Sequence, residues 1–458
     1  MAYSIDKSLI PDATMNIIEN TLSIQPEKEN YRYSQNIIVP DPVIFYNTDG
    51  NMLHLPYMFA SSVFQTIPNI DINYPTVNLQ FIGKLRDYQI PVINEAYQQL
   101  QKYGTTTLGL HPGWGKTIAG SKLTCELKLP TVILVHREIL TTQWKKTFQD
   151  TSNADIWIVG EKNSPSTANV IICMDTRWQQ IPKELRDKIG TLIIDEAHAF
   201  CTPSHVSCLL AFHPKYIIIE SASLMRDDNM HTMIYAIAGD HGIFRETNKP
   251  FNVIKVMTNT KPIRKLNRMQ GTDWTALLRD TLMDSRRNEI ILLLVQQNPN
   301  AKILILTSLK DHATLLHTSI DKLGISCDFL CGTKRGYKDS TVLVGTMSKI
   351  GTGFDPATSC STYSGRPFDL LLVVSSIKKY SMLIQNIGRV FRADFPTVMH
   401  FVDNDDIFKS HWYKARKWYL THGGIITDYN IPNMQQQVST PSETQNNWLK
   451  NKLATKKQ

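Results

Sequence analysis

The feature that most constrains the fold is a recurring kind of apolar run. "TTLGL" (106–110), "TVILVH" (131–136), "NVIICM" (169–174), "TLIIDE" (191–196) and "YIIIES" (216–221) are short and continuous, and longer segments of helical period lie between most of them. A strand wetted on one face alternates apolar and polar residues, whereas a run without alternation is buried on both faces. Such runs demand a parallel sheet covered by helices. The pattern restarts after about residue 265 with "KILILT" (302–307), "VLVG" (342–345), "LLLVVSS" (370–376) and "VMHFVD" (398–403). The expected fold is therefore α/β, with two tandem doubly wound parallel-sheet lobes joined near 248–262.

Residues 1–80 have a different texture. "VIFY" (43–46) and "MLHLPY" (52–57) flank "NTDGN", where Asp49-Gly50 supplies turn chemistry, so a hairpin and a small, mainly β N-terminal domain are expected. The last stretch is polar and rich in Gln, Ser, Thr and Lys, the composition of a mobile tail. The expected division is 1–80 for the N-terminal domain, 81–250 and 251–433 for the two lobes, and 434–458 for the tail.

The net charge of +8 suits a polyanion partner without requiring one. No apolar run approaches the roughly 18 residues of a membrane-spanning helix, and the first residues lack the basic start and apolar core of a secretory signal. A cytoplasmic protein that does not contact membranes is expected. The seven cysteines, Cys125, Cys173, Cys201, Cys208, Cys327, Cys331 and Cys360, are irregularly spaced and contain no Cys-x-x-Cys pair. They read as reduced, mostly buried thiols rather than a zinc site.

Between the first run and the helical segment after it lies "LGLHPGWGKTIAG" (108–120). Gly113 and Gly115 would let backbone amides approach phosphate oxygens, and the following helix would offer the positive end of its dipole. Lys116 would reach the β- and γ-phosphates and Thr117 would ligate magnesium. The G-x-x-x-x-G-K-T pattern is incomplete, because Leu110 stands in the first glycine's place. A plain strand-to-helix turn is the alternative for this motif taken alone. "LIIDEAHAF" then places Asp195 and Glu196 at the end of an apolar run, the ligand edge of a doubly wound sheet. One carboxylate there can hold magnesium through its water shell and the next can take a proton from an attacking water. A solvated acidic turn is the reading for "DE" alone; with the glycine loop upstream, the joint pattern favours nucleotide hydrolysis.

Gln89 in "LRDYQ" carries both a donor and an acceptor and can read an adenine edge, or it is a surface glutamine. In the second lobe "QNIGRVFR" carries Gln385, Gly388, Arg389 and Arg392. Two arginines three apart on one helix face, set across a cleft from the glycine loop, could stabilise charge on a transferring phosphate. An exposed basic helix is the alternative.

Taken in order, these residues resemble the motifs of a superfamily 2 helicase over about residues 81–425. "LRDYQ" resembles the Q motif, "HPGWGKT" motif I, "VHREILTTQW" motif Ia and "DEAH" motif II. "SASLMRDD" is similar to motif III, with Ser223 and Leu224 where Thr and Pro are usual. "ILILTSLKDH", "GTMSKIGTGFD" and "QNIGRVFR" follow as motifs IV, V and VI. Within the superfamily the chain looks most like the poxvirus-type transcript-release DNA helicases of large DNA viruses and the related phage recombination helicases. The grounds are its compact body, "SRRNEIIL" (285–292) and a β-rich segment ahead of the Q motif.

The resemblance implies RecA-like lobes and an ATP- and Mg2+-dependent, 3′-to-5′ motor on DNA that acts in transcript release. It is expected to work as a monomer on single-stranded or duplex DNA or an RNA–DNA hybrid, beside the transcription machinery, in the cytoplasm or a virus factory. Carried over position by position, it implies that Gln89, Gly113, Trp114, Gly115, Lys116, Thr117, Gly353 and Asp355 bind the nucleotide. Thr117 and Asp195 would serve the metal, and Glu196 would be the general base. Gln385, Arg389 and Arg392 would face the γ-phosphate, while His198, Ser221 and Ser223 couple the lobes. Arg137, Arg177, Thr346 and Lys349 lie in or beside motifs that face the nucleic-acid track, although solvated side chains are the alternative. "HWYKARKWYL" (411–420) could stack bases on its aromatics, but packing of the last helix onto the second lobe is favoured.

Overall fold

The computed structural model describes residues 2–27, 40–162, 167–221, 226, 228–245, 249–267, 270–351 and 354–429. Ser223, Gly353 and the expected tail at 434–458 lie outside them. In the N-terminal region, β1 (Ala2–Asp6), β2 (Ser23–Ile24), β3 (Val43–Ile44), β4 (Asn47–Asp49) and β5 (Met52–Pro56) form two small antiparallel sheets, β1-β5-β4 and β2-β3. The expected hairpin is present with a shorter first arm: Asp49 pairs Met52 and Asn47 pairs His54, while Val43–Ile44 turns away to pair with Ser23–Ile24. Two helices, Asp12–Thr21 and Tyr57–Phe64, were not evident from the sequence.

The first lobe holds β6 (Thr105–Leu110), β7 (Thr131–Val135), β8 (Ile156–Ile158), β9 (Val170–Met174), β10 (Thr191–Asp195), β11 (Tyr216–Ser221) and β12 (Ile243–Arg245). They form one seven-stranded sheet in the order β12-β6-β11-β10-β7-β9-β8, and every neighbouring pair is parallel. The lack of alternation in the sequence now has its reason. Val132, Leu134, Leu192, Ile194, Ile217 and Ile219 fill one core, whereas Ile133, Val135, Ile193 and Ile218 fill another on the opposite face. The first of these cores also contains Phe45, Leu53, Leu55 and Tyr57, so the N-terminal region is packed continuously onto this lobe.

The second lobe repeats the plan with β13 (Phe251–Met257), β14 (Ile303–Thr307), β15 (Cys327–Leu330), β16 (Val342–Thr346), β17 (Leu370–Val373), β18 (Thr397–Val402) and β19 (Gly424–Tyr429). The strand order is β15-β16-β14-β17-β18-β13-β19, again parallel throughout. One expectation is corrected here. The connector read at 248–262 contains β13, which lies inside the sheet between β18 and β19. Its alternation of buried Phe251 and Val253 with half-buried Asn252 and Ile254 lacks the continuous apolar signature of the other strands. In the helix Asp406–Thr421, Trp412, Trp418 and Tyr419 are buried and Tyr413 is exposed, so packing is the role these aromatics serve. All seven cysteines are free, and six of them are buried.

Arg287 of "SRRNEIIL" is fully buried and pairs with Asp403 at the end of β18 (Nε–Oδ1 2.8 Å), stacked over Phe401. Removing one partner strands the other charge in the core. Arg287→Met is therefore expected to destabilise the protein by about 3–5 kcal/mol. The double change with Asp403→Leu should recover most of that loss in urea unfolding.

Candidate active site

The chemistry-bearing segments converge because β6, β10 and β11 are adjacent and in register. Asp195 pairs with Glu220, and Ser221 pairs with Gly109. Their C-terminal ends form one edge, the place where ligands bind in open parallel sheets.

The loop after β6 has the form of an anion cradle. Gly113 and Gly115 take φ of +81° and +102°, which side-chain-bearing residues rarely adopt. A Cβ on Gly115 would lie 2.5 Å from Gln89 Nε2. The helix Lys116–Leu127 starts there, with its positive end toward the loop. Lys116 Nζ folds back to donate to Leu110 O (3.2 Å). Leu110, which breaks the glycine pattern, thus contributes a carbonyl, and its side chain is buried in the lobe core. Gln89 is buried: its Nε2 donates to Trp114 O (3.1 Å) and its Oε1 accepts from Arg86 N (2.9 Å). It therefore ties the Q-motif turn to the loop. Trp114 is buried, with the Tyr88 ring edge-on to it at 5.7 Å.

Asp195 accepts from Trp144 Nε1 (2.9 Å). Burial and the adjacent Glu196 hold its carboxyl above the usual range. Glu196 follows with φ +54°, a conformation costly for this residue type and common at functional sites. Burial opposes ionisation of Glu196, but Lys116, His198, His136 and Arg389 outweigh it and hold the carboxyl below its ordinary value. The pair can thus carry charge at Glu196 and accept a proton there.

The second lobe closes over this edge. A Cβ on Gly113 would be 3.9 Å from both Cγ and Nε of Arg392, and one on Gly388 would be 2.4 Å from Pro112 Cβ. Arg392 Nη1 donates to Asp355 (2.9 Å). Arg389 is turned inward, donating to Phe354 O (2.6 Å) and Gly351 O. The expectation of one helix face is corrected: the helix ends at Ile387, and 388–393 continue as i→i+3 turns (Arg389 N to Asn386 O, Val390 N to Ile387 O). That change separates the two guanidinium groups into an outer and an inner one.

His198 links three motifs. Its Nε2 lies 3.4 Å from Gln385 Nε2 of the second lobe and its Nδ1 lies 3.0 Å from Ser221 Oγ. Arg226 Nη1 donates to His198 O (2.6 Å).

The residues expected to face nucleic acid are more dispersed. Arg137 Nη1 donates across the cleft to Ser348 O (2.6 Å), and Arg177 Nη1 donates to Val159 O (3.3 Å). Thr346 is buried, with Ser348 Oγ 3.3 Å from its hydroxyl, and Lys349 is half-buried.

Two site-lining residues were missed from the sequence. Trp144 gave no sign of reaching Asp195. Glu220 did leave a sign, as the one charge in "YIIIES"; it is fully buried, and burial and Asp195 push its carboxyl well above the usual range.

The family "Type III restriction enzyme, res subunit" (ResIII) matches residues 82–225. Protein 161L of Invertebrate iridescent virus 6, which carries a helicase name, is 31% identical over 86% of this chain and 93% of its own length. The transcript termination protein A18 of Rabbit fibroma virus is 22% identical, covering 71% of this chain and 72% of its own. Among solved structures, yeast Dbp5 bound to RNA and ADP BeF3 superposes with a TM-score of 0.54 at 15% identity, over 74% of this chain and 89% of Dbp5. That likeness speaks for the two-lobe fold. With the ordered motifs gathered at one interlobe cleft and this similarity along most of its length, the chain belongs to the superfamily 2 helicases and groups with the helicases of large DNA viruses.

Proposed function

We propose that this chain is an ATP-dependent DNA helicase or translocase of 3′-to-5′ direction that acts in viral transcription, in transcript release. The observation that carries the ATPase reading is the approach of Arg392 and Gly388 to the glycine loop, beside Lys116, Asp195 and Glu196.

The residues fit a nucleotide with magnesium. The loop has room only for glycine at position 115, and Glu196 Oε2 and both Glu220 oxygens are buried without hydrogen-bond partners. Thr117 and Asp195 would hold Mg2+, which when bound offsets charge on the β- and γ-phosphates. Lys116 exchanges Leu110 O for phosphate oxygens. Gly113, Trp114 and Gly115 shape the cradle, and Gln89 meets the adenine. Asp355, bonded to Arg392, would line the opposite wall; Gly353, outside the described residues, is assigned to the nucleotide by the family resemblance alone. Glu196 takes the proton of the attacking water, and Arg392 meets charge on the transferring phosphoryl group. Gln385, beside His198, and Arg389, held on Phe354 O and Gly351 O, would face the same phosphate. The chain Ser221–His198–Gln385 would report closure from one lobe to the other; Ser223, outside the described residues, is assigned to this coupling by the family resemblance alone.

Arg137, Arg177, Thr346 and Lys349 would meet one strand's phosphates. Arg137 bridges the lobes through Ser348 O, so an entering strand would compete with that carbonyl for its guanidinium. Arg137→Ala is expected to weaken single-stranded DNA binding and to lower the log K versus log salt slope by about 0.7. An unchanged slope would take Arg137 out of the track. The transcript-release role is supported by the name of the Rabbit fibroma virus relative, and it implies DNA or an RNA–DNA hybrid with the transcription machinery as partners. Strand displacement on a 3′-tailed duplex, with triplex displacement as control, tests the motor. ATP-dependent strand separation is expected; displacement of the triplex alone would assign translocation without unwinding.

A further inference from the structure

The run "YIIIES" carries a carboxylate one residue before its strand ends, where another aliphatic residue would complete the core. Glu220 is 0% exposed, and neither of its oxygens has a hydrogen-bond partner. Leaving such a group unpaired in a packed interior opposes folding, so the fold retains it at a cost.

Its position says where it acts. Glu220 is in register with Asp195 on the adjacent parallel strand, and in-register neighbours project from the same face of a sheet. A Cβ on Gly120 would lie 2.7 Å from Glu220 Oε1 and 2.7 Å from Trp144 Cη2. The carboxylate therefore sits under the first turns of the helix that opens with Lys116 and Thr117. It lies beside the indole whose Nε1 is bonded to Asp195. The charged groups that act on it are Asp195 and Glu196 from the β10 edge and Lys116 from the helix. Among the described residues no three His, Cys, Asp or Glu side chains converge closely enough to ligate a metal directly. Carboxylates here would act through the cation's water molecules.

Resting on the ATPase reading above, we infer that Glu220 is a second carboxylate of the magnesium centre, a positioning residue that with Asp195 orients the water shell of the cation at Thr117. The glycine at 120 is what admits it. Its neighbour Asp195 uses one oxygen on Trp144, so a second carboxylate supplies acceptors that Asp195 alone cannot.

The test uses the full chain and two variants, Glu220→Gln, which keeps the shape, and Glu220→Leu, which removes the polarity. Thermal unfolding without nucleotide and Mg2+ titration of fluorescent ADP binding are read on each. The expected result is that both variants unfold at the same or a higher temperature than wild type, yet need about 10- to 100-fold more Mg2+ for half-maximal nucleotide binding. Mn2+ binding followed by electron paramagnetic resonance, without nucleotide, should weaken in parallel. A Mg2+ midpoint unchanged in folded Glu220→Gln would overturn the inference and leave Glu220 a core residue only. Wild type that binds no nucleotide at any Mg2+ concentration would instead overturn the ATPase reading, and this inference with it.

Discussion

Glu196→Gln is expected to lower ATP turnover by about 10²- to 10⁴-fold while ATP binding changes little. The substitution keeps the length and shape of the side chain at a strained φ of +54° and removes only its ability to take a proton. Glu196 is the carboxylate of the pair that stays charged, because Lys116, His198, His136 and Arg389 outweigh its burial. Phosphate release, read beside fluorescent nucleotide binding, separates the two effects. Turnover retained within threefold would move the general base elsewhere.

Arg392→Ala carries the second large effect, a turnover loss of about 10³-fold at near-normal nucleotide affinity. The side chain comes from the second lobe, is partly exposed, and lies 3.9 Å from the space a Gly113 Cβ would fill. Its removal should leave the free energy of unfolding within about 0.5 kcal/mol of wild type, as for other surface sites. Arg392→Lys should restore little, since an ammonium lacks the planar fork that meets two phosphate oxygens. Arg389 should behave otherwise. Its guanidinium is bonded to the carbonyls of Gly351 and Phe354, so Arg389→Ala is expected to lower stability together with turnover. A variant at 392 that keeps full turnover would contradict the two-lobe site.

That contrast marks how far the sequence could be read. Continuous runs such as "TVILVH" and "TLIIDE" gave away β7 and β10 because both faces of each strand are buried, one in each core. β13 was hidden because half of its residues are only partly covered, and β8, β12 and β15 are short strands of three or four residues with little signal to carry. At the site, Lys116, Asp195 and Glu196 were legible because their spacing is dictated by the strand-to-loop geometry that holds them. The division of labour between Arg389 and Arg392 was not, since it depends on the helix stopping at Ile387 and the chain tightening into turns. Trp144 and Glu220 come to the site through side-chain reach between elements distant in sequence, which no local pattern encodes. Gln89 reads from the sequence as a donor and acceptor for an adenine edge; in the fold its amide is engaged on Arg86 N and Trp114 O, which no local pattern announces.

In the proposed function, nucleic acid drives ATP hydrolysis in the interlobe cleft. This coupling is tested most directly by ATP turnover measured alone and with single-stranded DNA, duplex DNA and RNA, with Glu196→Gln as the control. Turnover that rises with DNA and is lost in the variant is the expected result. No turnover with any polymer, in folded protein that still binds DNA, would contradict it.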